Sequence, residues 1–443
     1  MYQDKKIFIL GMARSGYEVA KVLRNYTDKI LITDNKEQDE EHVKELTDMG
    51  IQYIMTDNPS KLLDDSFDIL VKNPGINYKQ KCVVKAKNHN IAIINEVEVA
   101  YNLLPKSVKI IGVTGSNGKT TTTTLIYEML KGAKKSVHLG GNIGIPVVSI
   151  LKNIKKNDIL VLEISSHQLQ DLKNFNCYIN ILTNLSEVHL DFFENYENYK
   201  NYKKRIFKNN TKDDIAILNY DNQDVLSLTK NINAKKLYFS TVKKQDAYIE
   251  NNKIYYKNEL IITTDDIRLQ GLHNYENIMC AIMTVKQFGV TNETIKEVLN
   301  NFYGVEHRLE FVTKINNRCF YNDSKATNIK STSIALNSFS VPIILLLGGL
   351  DRGHSFQGLT PYLSHVKQII SYGETKERIK QYADTINIDC VIVNNLEEAT
   401  KVAYNLSEEG DIILLSPACA SWDQYSSFEQ RGEEFKKIIN ELN

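Results

Sequence analysis

Val108-Lys109-Ile110-Ile111-Gly112-Val113-Thr114-Gly115-Ser116-Asn117-Gly118-Lys119-Thr120-Thr121 is the stretch on which the architecture turns. A short apolar run, Val108 to Val113, feeds a loop with two glycines, and the run Thr122 to Lys131 then reads as helix. Glycines let backbone N–H groups turn inward around phosphate oxygens, the helix N-terminus adds positive potential, and a lysine reaches the terminal phosphates. Lys119 takes that role, and Thr120 stands where a hydroxyl would ligate magnesium. Gly115, Ser116, Asn117, Gly118, Lys119, Thr120, Thr121 and Thr122 therefore form the expected ATP cradle. The common pattern has a further glycine where this chain has Val113, so the loop is a shortened variant.

The same grammar recurs on both sides. Upstream, Lys6 to Leu10 runs into Gly11-Met12-Ala13-Arg14-Ser15-Gly16, Ile30 to Thr33 ends at Asp34, and Asp68 to Val71 precedes Asn73-Pro74-Gly75. Within the middle stretch, strands are expected at Ile159 to Glu163 and Tyr178 to Thr183, with a small antiparallel addition over Ala247 to Leu269. Downstream, from near His307, they are expected at Ile343 to Leu347, Gln368 to Ser371, Val391 to Val393 and Ile412 to Leu415. Apolar strands alternating with helices predict an α/β protein of three domains, each a mostly parallel sheet with flanking helices. The expected divisions are 1–104, Rossmann-like; 105–306, a central phosphate-loop ATPase-like domain; and 307–443, a second dinucleotide-type fold.

Composition narrows the function. Lysine plus arginine equals aspartate plus glutamate, 54 against 54, so no global field draws the chain to nucleic acid or an anionic membrane. The 6 cysteines are scattered without zinc-site or disulfide spacing and read as reduced thiols. Arg14 interrupts the apolar start and no small-residue cleavage site follows, so Ile7 to Leu10 reads as a strand and not a leader. The longest apolar run, Val341 to Leu350, is far short of the roughly 20 residues that span a bilayer. A soluble, cytoplasmic protein is expected.

Two further segments bear on chemistry. Glu163 ends an apolar strand, which places its carboxylate at the sheet edge where the phosphate loop lies, a common position for an acid that holds magnesium. His189, with Asp191, follows the next strand; the ends marked by Lys119, Glu163 and His189 would converge on one crevice. The basic segment Tyr199 to Phe207 reads, on charge alone, as a solvated helix face.

Thr114 to Thr121, Gly-Gly-Asn-Ile-Gly at 140 to 144, Leu-Glu-Ile-Ser-Ser-His-Gln-Leu at 162 to 169 and His307-Arg308 together resemble the Mur ligases, in the family's order and across nearly the whole chain. Asn322-Asp323-Ser324-Lys325-Ala326-Thr327-Asn328, Leu415 to Ser421 and Phe428-Glu429-Gln430-Arg431-Gly432 are similar to the member that adds D-glutamate to UDP-N-acetylmuramoyl-L-alanine. The resemblance implies an ATP-dependent amide ligase of peptidoglycan precursor synthesis: ATP phosphorylates the alanine carboxylate, and the D-glutamate amine displaces phosphate through a tetrahedral intermediate. It also implies a monomer with magnesium, two ions in number, and no membrane insertion or nucleic-acid partner.

Carried over by motif, Lys119, Glu163, His189 and Lys203 are the catalytic set, and Thr120, Glu163, His189 and Lys203 hold the metals, with Lys203 as a carbamate. The Lys-x-Arg-Ile register selects Lys203, with Lys200 and Lys204 as the competing positions. Asn274 and Asn277 would touch adenine, and Arg308 and Asp323 would hold ATP. Arg14, Ser15, Asn35, Lys36, Asn73, Gly75, Asn142 and His189 would take the UDP-linked substrate. Thr327, Arg352, Ser421 and Phe428 would take D-glutamate, which needs a cation and hydroxyl donors. Other readings of the same residues are a different Mur ligase or a folylpolyglutamate synthase, which share the loop and the acyl-phosphate chemistry, and a nucleotide-dependent switch. A dinucleotide oxidoreductase fits poorly, because neither terminal fold opens with a convincing Gly-x-Gly-x-x-Gly.

Overall fold

A computed structural model describes residues 1–188 and 190–442, with the side chains of all of these except 190 and 191. It divides into two compact units, Met1–Phe302 and Tyr303–Asn443.

Two sheets build the first unit. The first contains β1 (Ile7–Leu10), β2 (Ile30–Asp34), β3 (Gln52–Met55), β4 (Ile69–Lys72) and β5 (Ala92–Ile94), in the order β3-β2-β1-β4-β5. All its pairs are parallel. Side chains alternate between the faces of a strand, so a sheet covered on both faces needs continuous apolar runs. Ile7, Ile9, Ile30 and Ile32 enter one core, whereas Phe8, Leu10, Leu31 and Leu70 enter another on the opposite face.

The second sheet holds β6 (Lys109–Thr114), β7 (Val137–Gly141), β8 (Ile159–Glu163), β9 (Ile179–Leu182), β10 (Ile215–Asn219), β11 (Lys235–Ser240), β12 (Ala247–Glu250), β13 (Lys253–Tyr256) and β14 (Glu259–Thr263). Their order is β14-β13-β12-β11-β10-β9-β6-β8-β7. Parallel pairing runs from β7 to β12, and the last two pairs are antiparallel, which is the small addition expected over Ala247 to Leu269. Polar pins join the two sheets through the helix Glu96–Leu103. Buried Glu98 accepts from the backbone N–H groups of Lys173, Asn174 and Phe175, and Asn95 Nδ2 donates to Gln168 O at 2.6 Å.

In the second unit, β15 (Glu310–Ile315), β16 (Arg318–Asn322), β17 (Ile343–Gly348), β18 (Val366–Tyr372), β19 (Asp389–Ile392) and β20 (Ile412–Leu415) form one sheet, ordered β15-β16-β20-β17-β18-β19. Only β15–β16 is antiparallel. Ile343, Leu345 and Leu414 bury on one face and Ile344, Leu346 and Ile413 on the other, again by strand alternation. Among the described residues no helix is long and apolar enough to cross a membrane. All six cysteines are free thiols; Cys319 and Cys390 are half-buried and the others are buried.

Candidate active site

β6 delivers the chain into the phosphate loop, and the helix Lys119–Gly132 starts directly after Gly118. Gly118 has φ +80°, and a Cβ there would lie 2.1 Å from Asn277 Oδ1; at Gly115 a Cβ would lie 2.0 Å from Thr183 Oγ1. Only glycine fits either place. Neighbouring strand ends hold the loop: Asn184 O accepts from Ser116 N–H at 2.9 Å, Asn184 Oδ1 from Asn117 N–H at 2.9 Å, and Ser116 Oγ meets Tyr199 Oη at 3.0 Å. Lys119 Nζ folds back and donates to Gly115 O and Ser116 O at 3.0 and 2.9 Å, which keeps the ammonium over the cradle.

Glu163, at the end of β8, is 2 % exposed. Its Oε1 accepts from Asn142 Nδ2 at 2.8 Å, while its buried Oε2 has no hydrogen-bond partner among the described residues. A buried, unpaired carboxylate oxygen is costly, and a divalent cation is the partner that removes that cost. Together with the Thr120 hydroxyl at the first turn of the helix, this oxygen-rich set fits magnesium.

Lys203 lies on the helix Tyr196–Lys204, which continues as a 3-10 turn through Phe207. The helix is not a solvated face throughout: Tyr199 and Lys203 are buried on its inner side. Lys203 is 1 % exposed and donates to Thr114 Oγ1 at 2.9 Å. Burial, reinforced by the nearby Lys119 charge, holds its amine well below the ordinary lysine pKa, with Glu163 pulling the other way. Of the competing lysines, Lys200 pairs with Glu197 and Asp224 at 2.9 and 3.2 Å, and Lys204 is exposed. His189 lies outside the described residues, although the end of β9 that leads to it adjoins β6. Asn277 is buried behind Gly118, where its Oδ1 accepts from Thr122 Oγ1 at 3.2 Å; Asn274 is half-buried and donates to Gln270 O.

At the first sheet, the chain leaves β1 toward β2 on one side and β4 on the other, and ligands favour such switch points. Ser15 follows β1 and Asn73 follows β4, and Asn73 Nδ2 donates to Ser15 Oγ at 3.4 Å across the crevice. Gly75 N–H bonds Asn73 Oδ1, while Asp34 accepts from the N–H groups of Met12 and Lys36. Asn35 and Lys36 are exposed at the same sheet end. Arg14 reaches the loop after β7, donating to Gly144 O at 2.6 Å, and helps line a cavity of about 430 Å³ with Tyr17, His42, Ile145 and Pro146. Ser15, Asn35, Lys36, Asn73 and Gly75 are not among the residues lining it.

In the second unit, Thr327, Arg352 and Ser421 follow β16, β17 and β20, three adjacent parallel strands, and so come to one sheet end. Ser421 Oγ is buried without a hydrogen-bond partner among the described residues. Arg352 is exposed and stacks 4.7 Å from the ring centroid of Trp422. Phe428 begins the helix Phe428–Asn440, and its carbonyl accepts from Ser324 Oγ at 2.8 Å. Asp323 accepts from Leu309 N–H and Ser416 Oγ; burial pushes its carboxyl up to about 7, opposed by those bonds and the Arg308 charge. Two residues given no role in the sequence organise this end. Arg431, fully buried, donates to Ser324 Oγ, Ser324 O and Cys419 O, and Trp422 supports Arg352.

Two family models match the chain: the Mur ligase middle domain over residues 113–285 and the Mur ligase glutamate ligase domain over 307–419. The chain belongs to the Mur ligase family. Within it, the chain is 45% identical over 446 residues to the UDP-N-acetylmuramoylalanine--D-glutamate ligase of Geobacillus sp. (strain WCH70), covering 100% of this chain and 98% of the relative. The fold is also that of a UDP-N-acetylmuramate-alanine ligase from Thermotoga maritima, with TM-score 0.59 and 18% identity over 99% of this chain and 100% of that one. A MurF ligase from the same organism, crystallised with ADP, gives TM-score 0.55 and 16% identity over 100% of this chain and 96% of that one.

Proposed function

We propose that this chain joins D-glutamate to UDP-N-acetylmuramoyl-L-alanine through an acyl phosphate, releasing ADP and phosphate from ATP, in the cytoplasm and as a monomer, as a step of peptidoglycan precursor synthesis. The observation that carries this reading is full-length likeness to relatives of that name, in a chain whose phosphate loop faces a buried acid with a free oxygen. A carboxylate is a poor electrophile. Phosphorylation of the alanine carboxylate removes its charge and supplies a leaving group; the amine then adds, the tetrahedral centre collapses, and phosphate departs.

Catalysis of that kind is mainly positioning and charge stabilisation. The loop Gly115 to Thr122, with the helix N-terminus after Gly118 and the Lys119 ammonium, holds the phosphates in line with the acceptor carboxylate. Glu163, Thr120, His189 and a Lys203 carbamate would hold magnesium, two ions in our reading, which when bound neutralises charge on the transferring phosphoryl group. Burial, with the Lys119 charge beside it, lowers the pKa of Lys203 and so favours the neutral, nucleophilic amine. The neutral nitrogen would add to the carbon of CO2 and lose one proton to solvent, giving a carbamate that offers anionic oxygens in place of the amine. Asn142, bonded to Glu163, links the metal acid to the nucleotide-sugar substrate, whose UDP end lies with Arg14, Ser15, Asn35, Lys36, Asn73 and Gly75. For D-glutamate we assign Thr327, Arg352, Ser421 and Phe428, and for ATP also Asn274, Asn277, Arg308 and Asp323. The functional divisions in this reading are 1–104, 105–306 and 307–443.

The test is phosphate release from ATP and magnesium with UDP-N-acetylmuramoyl-L-alanine across a panel of amino acids. Release that requires D-glutamate, with the condensed product by mass, is the expected result. Release with another amine would move the specificity, and release with neither substrate would point to a switch.

A further inference from the structure

Lys72, the last residue of β4, is the largest buried charge of the first unit outside the catalytic set: its side chain is 0% exposed, as is that of its partner Asp171, 3.1 Å away. An ammonium has three hydrogens to give. Here it donates to three backbone carbonyls, Ile76 O at 2.8 Å and Asn73 O and Pro74 O at 3.3 and 3.4 Å, with Asp171 Oδ2 beside it as the ion-pair partner. Three carbonyls from four consecutive residues turned onto one nitrogen fix the curvature of the loop 73–76. That loop carries Asn73 and Gly75 and reaches Ser15 across the switch point.

Asp171 sits on a segment that is itself pinned. Tyr78 Oη donates to its Oδ1 at 2.6 Å, Arg205 donates to Leu169 O and Leu172 O at 2.8 Å each, and Glu98 holds the N–H groups of 173 to 175. Arg205 lies two residues beyond Lys203, and Leu169 ends the short helix that follows Glu163. The ammonium therefore ties the loop after β4 to the backbone that also positions Glu163 and Lys203. Apolar residues of similar volume often replace a buried ion pair without loss of stability, so the contribution of this one is geometric: it sets the shape of the loop.

We infer that Lys72 is a positioning residue for the UDP-linked substrate: anchored by Asp171 and Tyr78, it holds the loop 73–76 in the shape that receives the nucleotide. The inference rests on the assignment of that loop to the UDP moiety. It places Lys72 away from the reacting atoms, and so separates substrate affinity from turnover.

The experiment compares steady-state kinetics and calorimetric binding of UDP-N-acetylmuramoyl-L-alanine in the full-length wild type, Lys72→Met, Tyr78→Phe, and Lys72→Met combined with Asp171→Leu. Lys72→Met should raise KM and Kd for this substrate about tenfold while kcat and the KM for ATP stay within about twofold. The double variant, with both charges gone, should regain the wild-type melting temperature yet keep the raised KM. If it regains both, the pair is only a packing lock and the proposal falls. Tyr78→Phe removes one hydroxyl and keeps the test open if Lys72→Met does not fold; it should raise the same KM two- to threefold, and no change in it would also overturn the proposal. A wild type that neither binds nor turns over this substrate would instead overturn the functional reading, and the proposal with it.

Discussion

Lys203 donates to Thr114 Oγ1 at 2.9 Å, and Thr114 Oγ1 in turn donates to Ile164 O at 2.7 Å. The last residue of β6 thus joins the helix of the buried lysine to the residue after Glu163. This chain of two bonds fixes the lysine beside the phosphate loop, and shortening either end should be felt in activity before stability.

Lys203→Ala should abolish turnover, because it removes the nitrogen to which we assign the carbamate, and added short-chain carboxylates should restore part of it. Near-normal turnover of Lys203→Ala without additive would move the carbamate to another residue.

Lys119→Ala removes the ammonium and its bonds to Gly115 O and Ser116 O, but leaves the bonds that tie the loop to Asn184. Phosphate release should fall on the order of a thousandfold, with the melting temperature almost unchanged. A variant that keeps its turnover would remove Lys119 from the phosphate site.

Tyr199→Phe deletes the hydroxyl that meets Ser116 Oγ and keeps the ring. A hydrogen bond of about 1 kcal/mol corresponds to roughly fivefold, expected as a raised KM for ATP. The KM for the UDP-linked substrate should not move, and an equal rise in both would assign Tyr199 to general packing.

Glu96 is buried with its Oε1 accepting from Val148 N–H at 2.8 Å, and burial pushes its carboxyl up to about 7. Between its ordinary value and about 7 the folded chain holds a proton that the unfolded chain releases, so this group makes stability fall as pH rises through that window. Glu96→Gln cannot ionise. It should flatten the decline in unfolding free energy between about pH 5 and pH 7, a difference on the order of a few kcal/mol read by denaturant titration; parallel wild-type and variant curves would contradict the assignment.

The chain has 1 tryptophan, and Arg352 stacks on it. If Arg352 takes a glutamate carboxylate, D-glutamate should change the Trp422 emission saturably, and Arg352→Ala should abolish the change. Emission indifferent to D-glutamate would separate Arg352 from the amino-acid site.

What could be read directly was what depends on neighbours in sequence. Gly115 to Thr121 gave the phosphate loop because a strand, two glycines and Lys-Thr are contiguous, and the apolar runs at 159–163, 343–347 and 412–415 marked strands buried on both faces. The edge strands β3, with its half-exposed Gln52–Met55, and β15, together with the neighbouring β16, part-buried with interspersed polar residues, left no comparable run. Their β structure depends on a partner strand and not on their own composition.

The sequence by itself determined the α/β class, the glycine-rich loop between β6 and its helix, and the order of motifs that places the chain among the Mur ligases, since each is written in adjacent residues. Only the tertiary structure decided which lysine of the basic helix is buried, because Lys200, Lys203 and Lys204 are chemically alike and differ in what surrounds them. It alone brought Lys72 to Asp171, Ser15 to Asn73 and Arg431 to Ser324. Such pairs join distant strand ends, and their interaction follows from sheet order and burial, neither of which local sequence records.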